Sequence, residues 1–200
     1  MSPPSETPPV RAAETSPQAE YSREERKLLL ETAHEAILSA LEAREISLFT
    51  PSPHLSEPRG AFTTLYCQRK LRGCVGYPTA LLPLFRTVIE TARAAAFDDP
   101  RFIPLTLAEV TDLAVSLSVL SPLKPISPEA VEVGRHGLLV SDGPRRGLLL
   151  PQVPLEHGWD RITFLEQTCR KAGLPLDAWQ TGAAIEAFTA EVFGDAGCEG

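Results

Sequence analysis

The sequence has none of the usual spacings of a structural metal site. Its four cysteines, Cys67, Cys74, Cys169 and Cys198, form no Cys-x-x-Cys pair and stand at no zinc-site distance from a histidine. They read as free thiols of a reducing compartment. A basic balance is also missing: 26 acidic against 19 basic residues leave a net charge of -7. That gives no support to a nucleic-acid-coating surface, while a local basic rim stays compatible with a small anionic ligand. No apolar leader opens the chain, and charge or proline breaks every apolar run well short of a membrane span. A soluble, cytoplasmic protein is expected. Internal repeats, heptads and a steady strand-helix alternation are absent as well, which removes solenoids, coiled coils and doubly wound sheets from consideration.

What is present is enough apolar sequence, 43% of 200 residues, for a core that needs no disulfide. Residues 1–20 hold five prolines and almost no large apolar side chain, a composition that predicts a disordered tail. Ser22 and Glu25 form a capping-box pattern ahead of Leu29, Ala33, Ala36, Ile37, Ala40 and Leu41 at helical spacing, so the first helix is expected over 22–43. A strand over 61–66 follows, and Gln68-Arg69-Lys70 turns the chain back into a second strand. Leu81, Leu84, Phe85, Val88, Ile89 and Ala92 make the stripe of a second helix, with Pro83 in its first turn and Asp99-Pro100 stopping it. Further strands are expected over 113–120 and 185–193, and a hairpin joins 138–140 to 148–150. Asp160 and Gly173 bracket a helix whose inward residues are Ile162, Leu165, Cys169 and Ala172. Mixed elements in this order predict an α+β fold of sheets covered by helices, in two lobes.

The segment most suggestive of chemistry is Leu71-Arg72-Gly73-Cys74-Val75-Gly76. Two glycines in a strand weaken it unless the backbone must come close to something. Alternation places Leu71 and Val75 on one face and Arg72 and Cys74 on the other. A neighbouring cation and the start of the next helix would each favour the thiolate, which is the form that acts as nucleophile or ligand. Against this stands a small side chain filling a tight turn. Arg72 suits a carboxylate or phosphate clamp, or an ordinary ion pair. Cys67 and Cys169 lie on apolar faces and read as packing residues, and Cys198 belongs to a frayed terminus, residues 196–200. Asp98, Asp99 and Arg101 read as a helix stop, with Phe102 as an apolar anchor.

Several motifs in order resemble the AMMECR family. They are the Leu71–Gly76 segment, Ala96-Phe97-Asp98-Asp99-Pro100-Arg101-Phe102, Ser118-Val119-Leu120-Ser121-Pro122, Gly147-Leu148-Leu149-Leu150-Pro151-Gln152-Val153, Gly158-Trp159-Asp160 and Cys169-Arg170-Lys171-Ala172-Gly173-Leu174. Val75 stands where isoleucine is frequent and Pro154 where alanine is. The resemblance implies an AMMECR domain over 21–195, built as two intertwined α+β subdomains of antiparallel sheet covered by helices, with the cysteine motif near a cleft between them. It also implies company with a Memo-like protein and a radical S-adenosylmethionine enzyme, but names no reaction and no cofactor.

Set in such a cleft, Cys74 is the candidate nucleophile and His136, in Gly134-Arg135-His136-Gly137, the candidate base, provided the fold brings the two within hydrogen-bond reach. Glu156 is the second candidate proton carrier. Arg72, Gly73, Gly76, Gln152 and Trp159 are the candidate substrate contacts, with Trp159 as an aromatic wall. No metal is assigned: Cys74, His136 and Glu156 have donor chemistry without local spacing. The expected function is a catalytic or substrate-handling component acting with those partners, and the alternative is a non-catalytic adaptor that docks to them through an exposed patch.

Overall fold

The computed structural model describes residues 19–47 and 51–196. Most of the expected tail and Cys198 lie outside the described residues. Helix α1 (Arg23–Leu41) opens on the Ser22/Glu25 capping box, with both reciprocal bonds formed. Strands β1 (Ala61–Cys67) and β2 (Lys70–Tyr77) make a hairpin. Gln68 and Arg69 take positive φ angles of 50° and 63° in its turn, the backbone of a tight two-residue connection. Helix α2 (Leu84–Phe97) starts three residues later than its stripe suggests, with Pro83 as N-cap, and leaves Leu81 outside it and 80% exposed.

Strand β3 (Leu113–Leu120) completes the expected antiparallel run. Beyond it come β4 (Lys124–Pro125), the hairpin β5 (Gly137–Asp142) and β6 (Arg145–Leu149), and the short helix α3 (Gln152–Glu156). Helix α4 (Arg161–Lys171) is capped by the Asp160 carboxylate, which accepts from the Thr163 amide, and Gly173 beyond it sits at φ 70°. Ile162, expected inside, is 40% exposed on the first turn. After α5 (Ala178–Thr181), the expected single strand over 185–193 is two strands, β7 (Ala184–Phe188) and β8 (Ala190–Gly194).

That division decides the architecture. The sheets run β2-β1-β3-β8 and β4-β7-β5-β6, so one stretch of chain serves the second sheet up to Phe188 and the first from Ala190. β3 and β4 make the same crossing in the opposite direction. The two crossings are stapled where the Ser121 amide donates to the Thr189 carbonyl (2.9 Å) and the Thr189 amide to the Ser121 hydroxyl (3.0 Å). The fold is α+β: two antiparallel four-stranded sheets, each with helices on one face.

Strand alternation sorts the residues of each sheet to its two faces. In the first sheet Ala61, Thr63 and Leu65 are buried under the helices, and the Thr63 hydroxyl meets Thr91 of α2 at 2.8 Å. In the second sheet Leu138, Val140, Ile185 and Ala187 pack against Phe164, Leu165 and Cys169 of α4. This places Cys169 in the core, and Leu71–Gly76 on an edge strand of the first sheet.

Both glycines of that motif answer close approaches within the protein. A Cβ on Gly73 would run into the backbone carbonyl of Ala95 in α2, and one on Gly76 into the ring of its cross-strand partner Phe62. Gly73→Ala therefore has to push helix backbone off the sheet and is expected to lose about 2 kcal/mol or more in urea unfolding. Gly76→Ala displaces only a side chain and loses less. Equal stability of Gly73→Ala and the parent chain would contradict this packing.

Candidate functional site

Cys74 lies in the middle of β2, not at a helix start. The nearest helix end is the last turn of α2, which closes on Gly73 through Ala95. The helix-N-terminus argument for this thiol therefore does not apply. Its side chain is half-buried, and its sulfur accepts from the Thr64 hydroxyl at 3.3 Å, Thr64 being its cross-strand partner.

Arg72 is not the cation beside the thiol. The register slips between Leu65 and Tyr66: Gly73 pairs with Leu65 and Leu71 with Tyr66, which leaves Arg72 as the extra residue of a β-bulge. This breaks the simple alternation: Leu71 pairs with Tyr66 and is 44% exposed, while Val75 pairs with Thr63 and packs on the core. The Arg72 fork is consumed by Glu109, with Nε to Oε1 at 2.7 Å, and by the carbonyls of Ile103 and Pro104. Arg72, chiefly, brings the Glu109 carboxyl down to about 2. No substrate clamp is left in that guanidinium.

Arg101 takes the place beside Cys74. The Asp99 side chain, 3% exposed, accepts the Cys74 amide at 2.9 Å and both the amide and guanidinium of Arg101, at 2.7 to 3.1 Å. Arg101 in turn reaches the Cys74 carbonyl at 3.3 Å. Its pKa is raised chiefly by Asp99 and in part by the Cys74 side chain. As the Thr64–Cys74 pair leaves the Cys74 amide and carbonyl facing outward, Asp99 and Arg101 occupy the edge as a neighbouring strand would. The pair does more than stop α2: two motifs 25 residues apart in sequence close on each other here. The Asp-x-Arg spacing, which lets the guanidinium fold back on its own carboxylate, is the sequence signal for it.

The remaining candidates are dispersed. His136 precedes β5 of the other sheet, and its Nδ1 accepts the Glu132 amide at 3.1 Å, a local backbone bond. Gln152 and Glu156 are exposed at the two ends of α3. Trp159 stacks on His157 with ring centres 4.6 Å apart and packs against the second core. Among the described residues none of these four bonds to Cys74, and no three His, Cys, Asp or Glu side chains gather as a metal site.

The cleft is made by the helix-free faces. A cavity of about 510 Å³ separates them. Phe62, Gly76, Pro78 and Thr79 line it from the first lobe, and Leu139, Ser141, Arg146 and Leu148 from the open face of the second sheet, where Glu186 and, from α4, Lys171 join them. The side chains of Arg146, Lys171 and Glu186 have no hydrogen bond or ion pair among the described residues. Gly76 is the point of contact with the cysteine motif. Thr64–Cys74 is the next rung to Phe62–Gly76 on the same face, about 7 Å along the strand, so Cys74 lies just outside the cavity wall.

A family model described as AMMECR1 matches residues 30–193. The chain belongs to the AMMECR1 family. It is 42% identical to protein MK0488 of Methanopyrus kandleri over 189 residues, covering 88% of this chain and 91% of that one. A relative from Aquifex aeolicus is 39% identical over 168 residues, covering 79% and 86%. The crystal structure of PH0010, an uncharacterized protein of Pyrococcus horikoshii, matches with a TM-score of 0.73 at 42% identity, over 84% of this chain and 90% of that one. The AMMECR1 match spans both sheets and both crossings. No helix among the described residues is long and apolar enough to cross a membrane.

Arg101, chiefly, holds the Asp99 carboxyl well below the usual carboxylate range. A depressed native pKa contributes stability above the unfolded value and loses it as pH falls. Asp99→Asn is therefore expected to lower stability by about 2 kcal/mol near neutral pH. The gap between the two proteins should narrow as pH falls below about 3.9, where the unfolded aspartate takes up a proton. Urea unfolding at several pH values measures this, and a gap that does not change with pH would contradict the clamp.

Proposed function

We propose that this chain handles a small anionic substrate, binding it in the cleft between the two open sheet faces. It acts alongside the Memo-like protein and the radical S-adenosylmethionine enzyme that the family resemblance implies. The observation that carries the reading is the pairing of Arg146 and Lys171 at one concave site without a carboxylate bonded to either. Exposed cations are ordinarily just solvated. Two that rim a cavity, in a chain of net charge -7, form a local field that concentrates small anions.

Use of Cys74 in chemistry is the finer part of the proposal. It is supported by the sulfur's place one rung from Gly76, with the Thr64 hydroxyl as donor and Arg101 as neighbouring cation. The alternative, a non-catalytic adaptor, has support in the exposed Tyr77, Leu81 and Leu82 of the segment leaving β2.

Titration with inorganic phosphate, followed by amide NMR shifts, tests the binding reading. Saturable shifts are expected at Gly147, Leu148 and Gly76, weakening with added salt. Arg146→Ala and Lys171→Ala should each weaken binding about threefold, and the double variant about tenfold. Cys74→Ser should bind normally while losing turnover with the two partners present. Shifts that do not saturate at these residues, or that neither cation substitution affects, would overturn the binding reading. Full turnover by Cys74→Ser would remove the thiol from the chemistry.

A further inference from the structure

The same cavity has a second pole. This inference rests on the anion-binding reading and specifies what the anion is attached to. Glu186 of β7 lines the cavity opposite the cations, and its carboxylate has no bonding partner among the described residues. In the order β7-β5-β6, strand β5 stands between it and Arg146. Two strand spacings separate their backbones by about 9.5 Å. Their pairings, Glu186 with Leu139 and Arg146 with Ser141, add an offset of one rung. No ion pair joins the two charges; Leu139 and Ser141 of β5 lie between them, with Leu148 beside Arg146 on β6 and Phe62 contributed from the facing lobe. The cavity thus runs from a cationic end, across a middle that is apolar apart from the Ser141 hydroxyl, to a carboxylate.

A matching ligand has an anion at one end, a flat body with little charge, and a hydrogen-bond donor at the other end. An α-amino acid is too short, since its charges are separated by a single carbon. Bare phosphate leaves the middle and the carboxylate unused, and a cavity of about 510 Å³ falls in the range of sites for whole small molecules. We propose that the cleft binds a nucleoside monophosphate whose base carries an exocyclic amino group. The phosphate meets Arg146 and Lys171, the base lies between Phe62 and the Leu139–Leu148 surface, and the amino group donates to Glu186.

Calorimetric titration of the full chain with adenosine monophosphate, and with purine riboside monophosphate, which lacks the amino group, tests this. Wild type is expected to bind the amino-bearing nucleotide about tenfold more tightly, the effect of one hydrogen bond to a charged acceptor. Glu186→Ala should erase that preference, and Arg146→Ala should weaken both nucleotides alike. Equal affinity of wild type for the two nucleotides, or a preference that survives in Glu186→Ala, would overturn the assignment. If inorganic phosphate still binds in an Arg146-dependent way, the anion-binding reading stands without it; if neither phosphate nor nucleotide responds to Arg146→Ala, both fall.

Discussion

The architecture depends on the staple between Ser121 and Thr189. At that point two antiparallel stretches of chain pass together from one sheet to the other, and each satisfies backbone groups of its neighbour. A strand that ended at this point would leave donors and acceptors without ladder partners. Because both crossings are locked to each other, the sheets cannot separate like two domains on a linker. Each sheet already has helices on one face, so the faces left uncovered are the ones turned toward the cleft. The cleft is a product of strand exchange.

The cysteine motif has a structural logic of its own. Gly73 admits the end of α2, Gly76 admits the Phe62 ring, and Asp99 with Arg101 closes the strand edge around Cys74. These contacts hold β2 in one position and explain why the glycines flank the thiol without invoking a ligand at the backbone. They also orient the face that carries Cys74 and leads to Gly76 and the cavity. Packing constraints and the candidate site share one strand, and a change at Gly73 or Asp99 is felt at both.

Much of the fold was legible because local chemistry specifies it. The Ser22 capping box, the Asp160 cap with Gly173, the tight turn at Gln68-Arg69 and the hairpin around Gly143 each satisfy their backbone within a few residues. What was not legible depends on distant partners. Residues 185–193 alternate as one strand, and only the other crossing shows that Thr189 divides them. The bulge at Arg72 arises from pairing with β1, and Glu109, 37 residues away, takes its guanidinium. Sequence context favours His136 as the base and reads Arg101 as part of a helix stop, yet the fold puts Arg101 beside Cys74 and bonds His136 to its own loop. Arg146, Lys171 and Glu186 have no motif of their own: strand register alone brings them to one cavity.

The most direct test of the account is a crystal structure of the full chain with a small phosphate-bearing molecule bound. The account predicts the anion against Arg146 and Lys171, in the cleft between the two helix-free faces, with the Ser121–Thr189 staple unchanged. The anion bound instead in the separate cavity of about 970 Å³ lined by Arg26 and Arg135, with the cleft left vacant, would contradict it.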